Sequence, residues 1–192
     1  MNAILNYGPV FLAGLSSAFL LINRKYRANI IGLALIYVAA FWMILEVWSP
    51  GLSIVKLITG WMAGAIIGSS IKEERQLDVQ NEIVEQRFKA VFVLILWIFC
   101  ISITGIIKSF LPLNENLILG GLVLFFTGLL QIGLSKKPIR IIFGMMVTIV
   151  GFEVIYAGLE KSILVAAFLV VITVGIAFVG VLFLNQEEDG AV

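Results

Sequence analysis

Glu153 stands twelve residues into a stretch, 141–160, that is otherwise apolar enough to cross a bilayer. A carboxylate at that depth costs roughly 2.5–3.5 kcal/mol to insert, so it has to be paired or put to use. Two readings are open: a proton-transferring or ion-handling group, or a neutral acid bonded to a backbone carbonyl or a neighbouring Thr. At about 1.5 Å per residue, Glu153 is roughly 18 Å from one end of its stretch and 10 Å from the other, too far for a short side chain to reach water. It must therefore face other helices, a wet cavity or a neighbouring subunit. The same arithmetic puts Thr104, Thr127 and Thr173 within about two turns of its depth, and Tyr156 one turn further along its own helix. These hydroxyls are candidates for a hydrogen-bonded route that includes Glu153.

Glu46, Lys56 and Lys108 also fall inside apolar stretches, but close to an end. Long Lys stems can snorkel from such positions to the surface at little cost. Only the turn Ser49-Pro50-Gly51 separates the stretches carrying Glu46 and Lys56, so these two are expected to approach as an ion pair near one membrane surface. Glu46 and Lys56 thus join Glu153 as candidates for an ion path, with a purely structural role as the alternative.

The elements that position these residues follow from length and apolarity. Seven apolar runs of about twenty residues can be drawn, each sufficient for a helix across a hydrocarbon core of roughly 30 Å. They cover 3–22, 28–48, 52–71, 90–111, 116–134, 141–160 and 163–184. No period-two alternation suggests strands. Asn23, Ser49-Pro50-Gly51 and the stretch 112–116 supply turn signals at the boundaries. The expected fold is all-α, a polytopic integral membrane protein with seven transmembrane helices in one domain. Residues 1–7 contain no Lys or Arg and so lack the basic start of a cleavable signal, and the first run is expected to be retained.

Ten of the thirteen Lys and Arg residues lie in alternate connections, at Arg24, Lys25 and Arg27, at Lys72, Arg75, Arg87 and Lys89, and at Lys136, Lys137 and Arg140. The positive-inside rule makes those connections cytoplasmic. With seven spans the N-terminus is then outside and the C-terminus inside, in a cytoplasmic-type (inner) cell membrane. Trp48, at the end of the second run, fits an interfacial anchor.

Composition narrows the function classes. The chain is 61% hydrophobic and 13% charged, against about half and a quarter in soluble domains. It has no His and one Cys, Cys100, which removes the usual metal ligands, an internal disulfide and thiolate clusters. There is no phosphate-cradling loop and no nucleophile-with-base set, so catalysis, a metal and a cofactor are not expected. Nor is there a basic and aromatic surface for nucleic acid. The expected partners are the lipid bilayer, other integral membrane subunits, and protons or cations.

The connection 72–89, KEERQLDVQNEIVEQRFK, is the longest polar stretch. Leu77, Ile83, Val84 and Phe88 fall at intervals compatible with one helical stripe, so the segment reads either as an amphipathic helix lying on the membrane or gripping a neighbouring subunit, or as a solvated extension of the fourth run. Gly144, Gly151 and Gly158 recur every seven residues, a small-residue stripe that lets another helix approach closely.

The final third, KKPIRIIFGMMVTIVGFEVIYAGLEKSILVAAFLVVITVGIAFVGVL, carries a short basic loop, a helix with an early Gly and an intramembrane Glu, a brief turn and a last helix. It resembles small membrane subunits of the complex I superfamily: the E-type subunit of membrane-bound group 4 hydrogenases of formate hydrogenlyase type, and the K-type subunit of respiratory complex I. Lys136, Lys137, Arg140 and Gly144 match the opening, and 159–182 resembles the final turn and helix. SIVKLITGWM, with Lys56, is similar to a Lys-containing third helix of the hydrogenase-type subunit. The K-type pattern has a Glu two residues after the opening Gly, where this chain has Met146, and Glu153 lies two turns deeper. The resemblance implies a non-catalytic subunit of a redox-linked complex that helps form a proton or cation path. The alternatives are a free-standing channel or transporter of a small solute, and a membrane scaffold or assembly protein.

Overall fold

The structure, a computed structural model, describes residues 2–23, 25–71 and 82–189, with side chains described for 7–23, 25–71 and 86–184. Among these residues the chain is all helix: α1 (Asn2–Ile22), α2 (Tyr26–Leu45), α3 (Pro50–Ser70), α4 (Glu82–Phe110), α5 (Glu115–Leu134), α6 (Pro138–Leu159) and α7 (Ile163–Asp189). Six are long and apolar enough to cross a membrane, and the described apolar part of α1, Tyr7–Ile22, is shorter. The protein is a polytopic helical membrane protein.

Helix starts have local causes. Pro50 and Pro138 occupy the first turns of α3 and α6, where a missing N–H costs nothing. Asn114 caps α5 by accepting a hydrogen bond from the Asn116 N–H at 3.3 Å. α4 runs back without a break to Glu82, so the second half of the 72–89 connection continues that helix. Of its proposed partner-binding stripe, Leu77 and the side chains of Ile83 and Val84 lie outside the described residues. Phe88 is exposed and packs on Phe92 at a ring-centroid distance of 4.6 Å.

The helices form two adjoining rings of four. In one, α2, α3, α7 and α6 each pack on the next and α6 closes back on α2. In the other, α1, α2, α6 and α5 do the same. The rings share α2 and α6, and α4 lies outside against α5 and α1. This sharing explains why α2 is apolar and small on several faces, since a helix surrounded by others has no polar side. Large apolar side chains of α4 and α7, such as Ile98, Phe110, Leu164 and Val171, point outward, as lipid-facing surfaces require.

The closest approach is between α5 and α6. A Cβ on Gly151 would lie 2.3 Å from the Phe125 backbone N, and one on Gly144 would lie 2.9 Å from the Gly128 carbonyl oxygen. Side chains are excluded there because the two backbones are in contact, which is the use expected of the seven-residue glycine stripe.

At the basic end, Arg140 is buried rather than solvated. Its guanidinium donates to the Asn23 carbonyl and, at 3.5 Å, to that of Leu21, covering carbonyls that the end of α1 leaves without helical partners. Gln131 in turn donates to the Arg140 carbonyl at 3.0 Å. One of the charges expected in a cytoplasmic loop is thus a structural clamp between α1 and α6.

Candidate functional site

Lys56 lies six residues from the start of α3, and Glu153 six from the end of α6. Both ends are at the face of the protein opposite the basic connections, so at about 1.5 Å per residue the two side chains share one depth, roughly 9 Å below it. Lys56 Nζ donates to Glu153 Oε1 at 2.5 Å, with the two side chains 6% and 4% exposed. Those exposures decide the matter of snorkelling: Lys56 points inward. α3 buries Ser53, Lys56, Thr59, Gly60, Ala63, Gly64 and Ile67 and exposes Ile54, Val55, Ile58, Trp61 and Met62. Its small face meets other helices and its bulky face meets lipid, and Lys56 is on the small face.

The expected pairing of Lys56 with Glu46 does not form. Glu46 is exposed and accepts a hydrogen bond from the Asn114 amide at 2.9 Å, tying the α2–α3 corner to the start of α5. Lys108 does reach the surface, where it pairs with Glu115 at 2.7 Å.

α3 and α6 sit at opposite corners of their ring, so the ion pair runs along its diagonal, between α2 and α7. Each of those two helices adds a hydroxyl. Tyr37, from α2, is buried beside Glu153 and beside Thr173 of α7, and among the described residues its hydroxyl makes no hydrogen bond of ordinary geometry. Its ring crosses α3 at Gly60, where a Cβ would stand 2.1 Å from the ring carbons. Thr173 donates to the Leu169 carbonyl at 2.9 Å, the usual resting bond of a Thr within a helix. All four helices of the ring thus bury at least one polar side chain, Tyr37 on α2, Lys56 on α3, Glu153 on α6 and Thr173 on α7.

Breaking such a pair by removing one partner costs about 3–5 kcal/mol, because a charge is then stranded in a dry interior. Among the described residues a single hydrogen bond joins the two groups.

The remaining candidates are dispersed. Thr104 is buried on α4, which packs against α5 and α1, and donates to the Cys100 carbonyl at 2.7 Å. Thr127 is buried on α5 with its hydroxyl unpartnered among the described residues. Tyr156 is partly exposed and stacks on Phe152 at 5.9 Å, on the outward side of α6. Of the hydroxyls expected around Glu153, only Thr173 borders its surroundings, beside Tyr37; the group that pairs with Glu153 is Lys56, expected instead beside Glu46. Tyr37 was missed, although Gly60 opposite a buried Tyr is the kind of small-for-large match that marks a specific packing site. Trp48 is buried instead of anchoring at the interface, and its indole N–H donates to the Ala157 carbonyl at 2.9 Å.

No cluster of three or more metal-ligating side chains occurs among the described residues. In comparisons with family models, curated proteins and solved structures, the chain finds no match.

Proposed function

We propose that this protein is a non-catalytic membrane subunit of a larger complex, and that its Lys56–Glu153 pair handles protons within an ion-translocation path. The observation that carries this reading is the diagonal: a buried ammonium and carboxylate 2.5 Å apart, with the Tyr37 and Thr173 hydroxyls at the other two corners. A proton donor and a proton acceptor in contact can exchange one proton and become a neutral amine and acid, a change of charge state that a dry interior tolerates far better than two separated charges. A metal cation fits less well. The carboxylate is already faced by an ammonium, and hard cations require several oxygen ligands.

Membership of a larger complex is supported by how far the polar groups extend. Toward the basic end, buried Tyr37, Thr59 and Thr173 extend the polar groups by about one turn, and beyond them Leu33, Ile67, Phe143, Met146 and Ala177, each no more than 1% exposed, lie between the pair and Arg140. A path across the whole membrane would need polar groups from neighbouring subunits, as the likeness to complex I-type membrane subunits implies. Under the positive-inside rule the basic end faces the cytoplasm and the ion pair lies in the outer half.

The test is Glu153→Gln in the assembled complex, with proton pumping as the readout. Pumping should be abolished or strongly reduced, and unchanged pumping would remove Glu153 from the mechanism. Purified protein reconstituted alone should conduct nothing; solute flux without partners would favour the free-standing transporter.

A further inference from the structure

We infer that a crevice between α1, α4 and α5 is a resident-lipid site, which seats one acyl chain of a phospholipid from the leaflet opposite the basic connections. The inference is independent of the proton reading, since none of the three helices that line the crevice belongs to the ring holding the ion pair.

Packing makes the crevice. α4 stands outside both rings and is held through α1 and α5. Gly14 lets the Trp97 ring lie directly on α1, where a Cβ would come within 2.7 Å of it. That contact pins α4 to α1 at one level. Closer to the face opposite the basic connections, Phe11 and Ile101 turn outward, 63% and 61% exposed, and a cavity of about 120 Å³ is left between the helices. Buried Val123 of α5 forms part of its wall, and Tyr7 lines it nearest the start of α1.

Depth assigns the leaflet. Tyr7 is five residues and Gly14 twelve from the start of α1, so the crevice lies roughly 8–18 Å below that face. In a hydrocarbon core of roughly 30 Å, this is the level of one leaflet's chains.

Chemistry selects the occupant. A stable buried water needs about two to four polar partners. The lining side chains offer only the Tyr7 phenol and the Trp97 indole N–H, and that N–H is buried without a hydrogen bond among the described residues. Such a space excludes water and accepts hydrocarbon. An apolar cavity of about 150 Å³ takes up one benzene, so 120 Å³ holds a segment of one chain and no second. The exposed Phe11 and Ile101 make the crevice continuous with the lipid-facing surface, and the bilayer itself supplies the chain. Seated there, the chain gives α1 and α4 dispersion contacts that they do not make with each other, and fastens α4 to the bundle.

The test is fluorescence quenching of the full chain purified in detergent. Trp42→Phe and Trp61→Phe remove the other two exposed indoles, leaving buried Trp48 as background. Phosphatidylcholine brominated along its chains is then titrated in. Quenching of Trp97 should saturate at one lipid per protein, and Val123→Phe, which fills the crevice from α5, should remove the saturable part. Ile101→Phe narrows it from α4 and decides the matter if the α5 variant does not fold. Quenching that climbs with lipid and never saturates would overturn the inference, as would saturable quenching that survives both substitutions. A brominated free fatty acid is the second probe. Weaker quenching by it supports the phospholipid, and saturation at equal concentration would overturn that assignment.

Discussion

The two rings that share α2 and α6 solve the problem of filling a helical interior in opposite ways. In the α1–α2–α6–α5 ring, glycines remove side chains until backbones touch, as at Gly151 against Phe125. In the α2–α3–α7–α6 ring the centre holds an ammonium, a carboxylate and two hydroxyls. Backbone contact between α5 and α6 gains dispersion energy and loses little entropy, because glycine has no side chain to order. The polar centre gains much less, since attraction between buried charges mainly offsets their desolvation. Nothing in packing alone requires Lys56 and Glu153, so the polar ring is where function is to be sought and the glycine ring is its support.

The largest expected effect breaks the polar side of this contrast. Lys56→Met or Glu153→Leu alone should destabilise the protein by about 3–5 kcal/mol, while the double variant should recover most of the loss. Reversible unfolding in detergent measures all three; a double variant as unstable as either single one would show that the pair is needed for the fold itself. Next comes the glycine side. Gly151→Ala should cost about 1–3 kcal/mol, because the new methyl meets the Phe125 backbone rather than a movable side chain. A thermal shift close to zero would mean that α5 and α6 are less closely seated.

Smaller effects separate function from packing. Tyr37→Phe removes a buried hydroxyl that makes no hydrogen bond of ordinary geometry among the described residues, so stability should change by less than about 1 kcal/mol, whereas proton transfer by the complex should slow. Loss of stability without loss of transfer would place Tyr37 in the packing of α2 on α3. Smallest of all is Lys108→Ala. Its pair with Glu115 is half exposed, and neither stability nor pumping should change measurably.

How much of this was legible beforehand differs between the two rings. The glycine seam is visible as Gly144, Gly151 and Gly158, because small residues at a helical repeat have one packing consequence. The depth of Glu153 was equally plain. Its partner was not, since depth places a residue along the membrane normal and says nothing of its lateral position. Thr104 and Thr127 sit at suitable depths on helices that do not border the α3–α7 side of Glu153, whereas Thr173 does. Lys56 was assigned to the surface because a Lys near a helix end is able to snorkel. The better signal was its place on the small face of α3, with Ser53, Gly60 and Gly64.

Length and apolarity, with the turn signals at Ser49-Pro50-Gly51 and 112–116, by themselves determined the helices and the need for Glu153 to turn inward, because the bilayer penalises polar groups whatever the arrangement of neighbours. Only the tertiary structure decided that α3 and α6 face each other across a diagonal, that Lys56 answers Glu153, and that Tyr37 and Trp48 stand beside and above them. Those contacts join residues as far as 109 positions apart, and they depend on which helices are adjacent, a property of the packed bundle that no single segment contains.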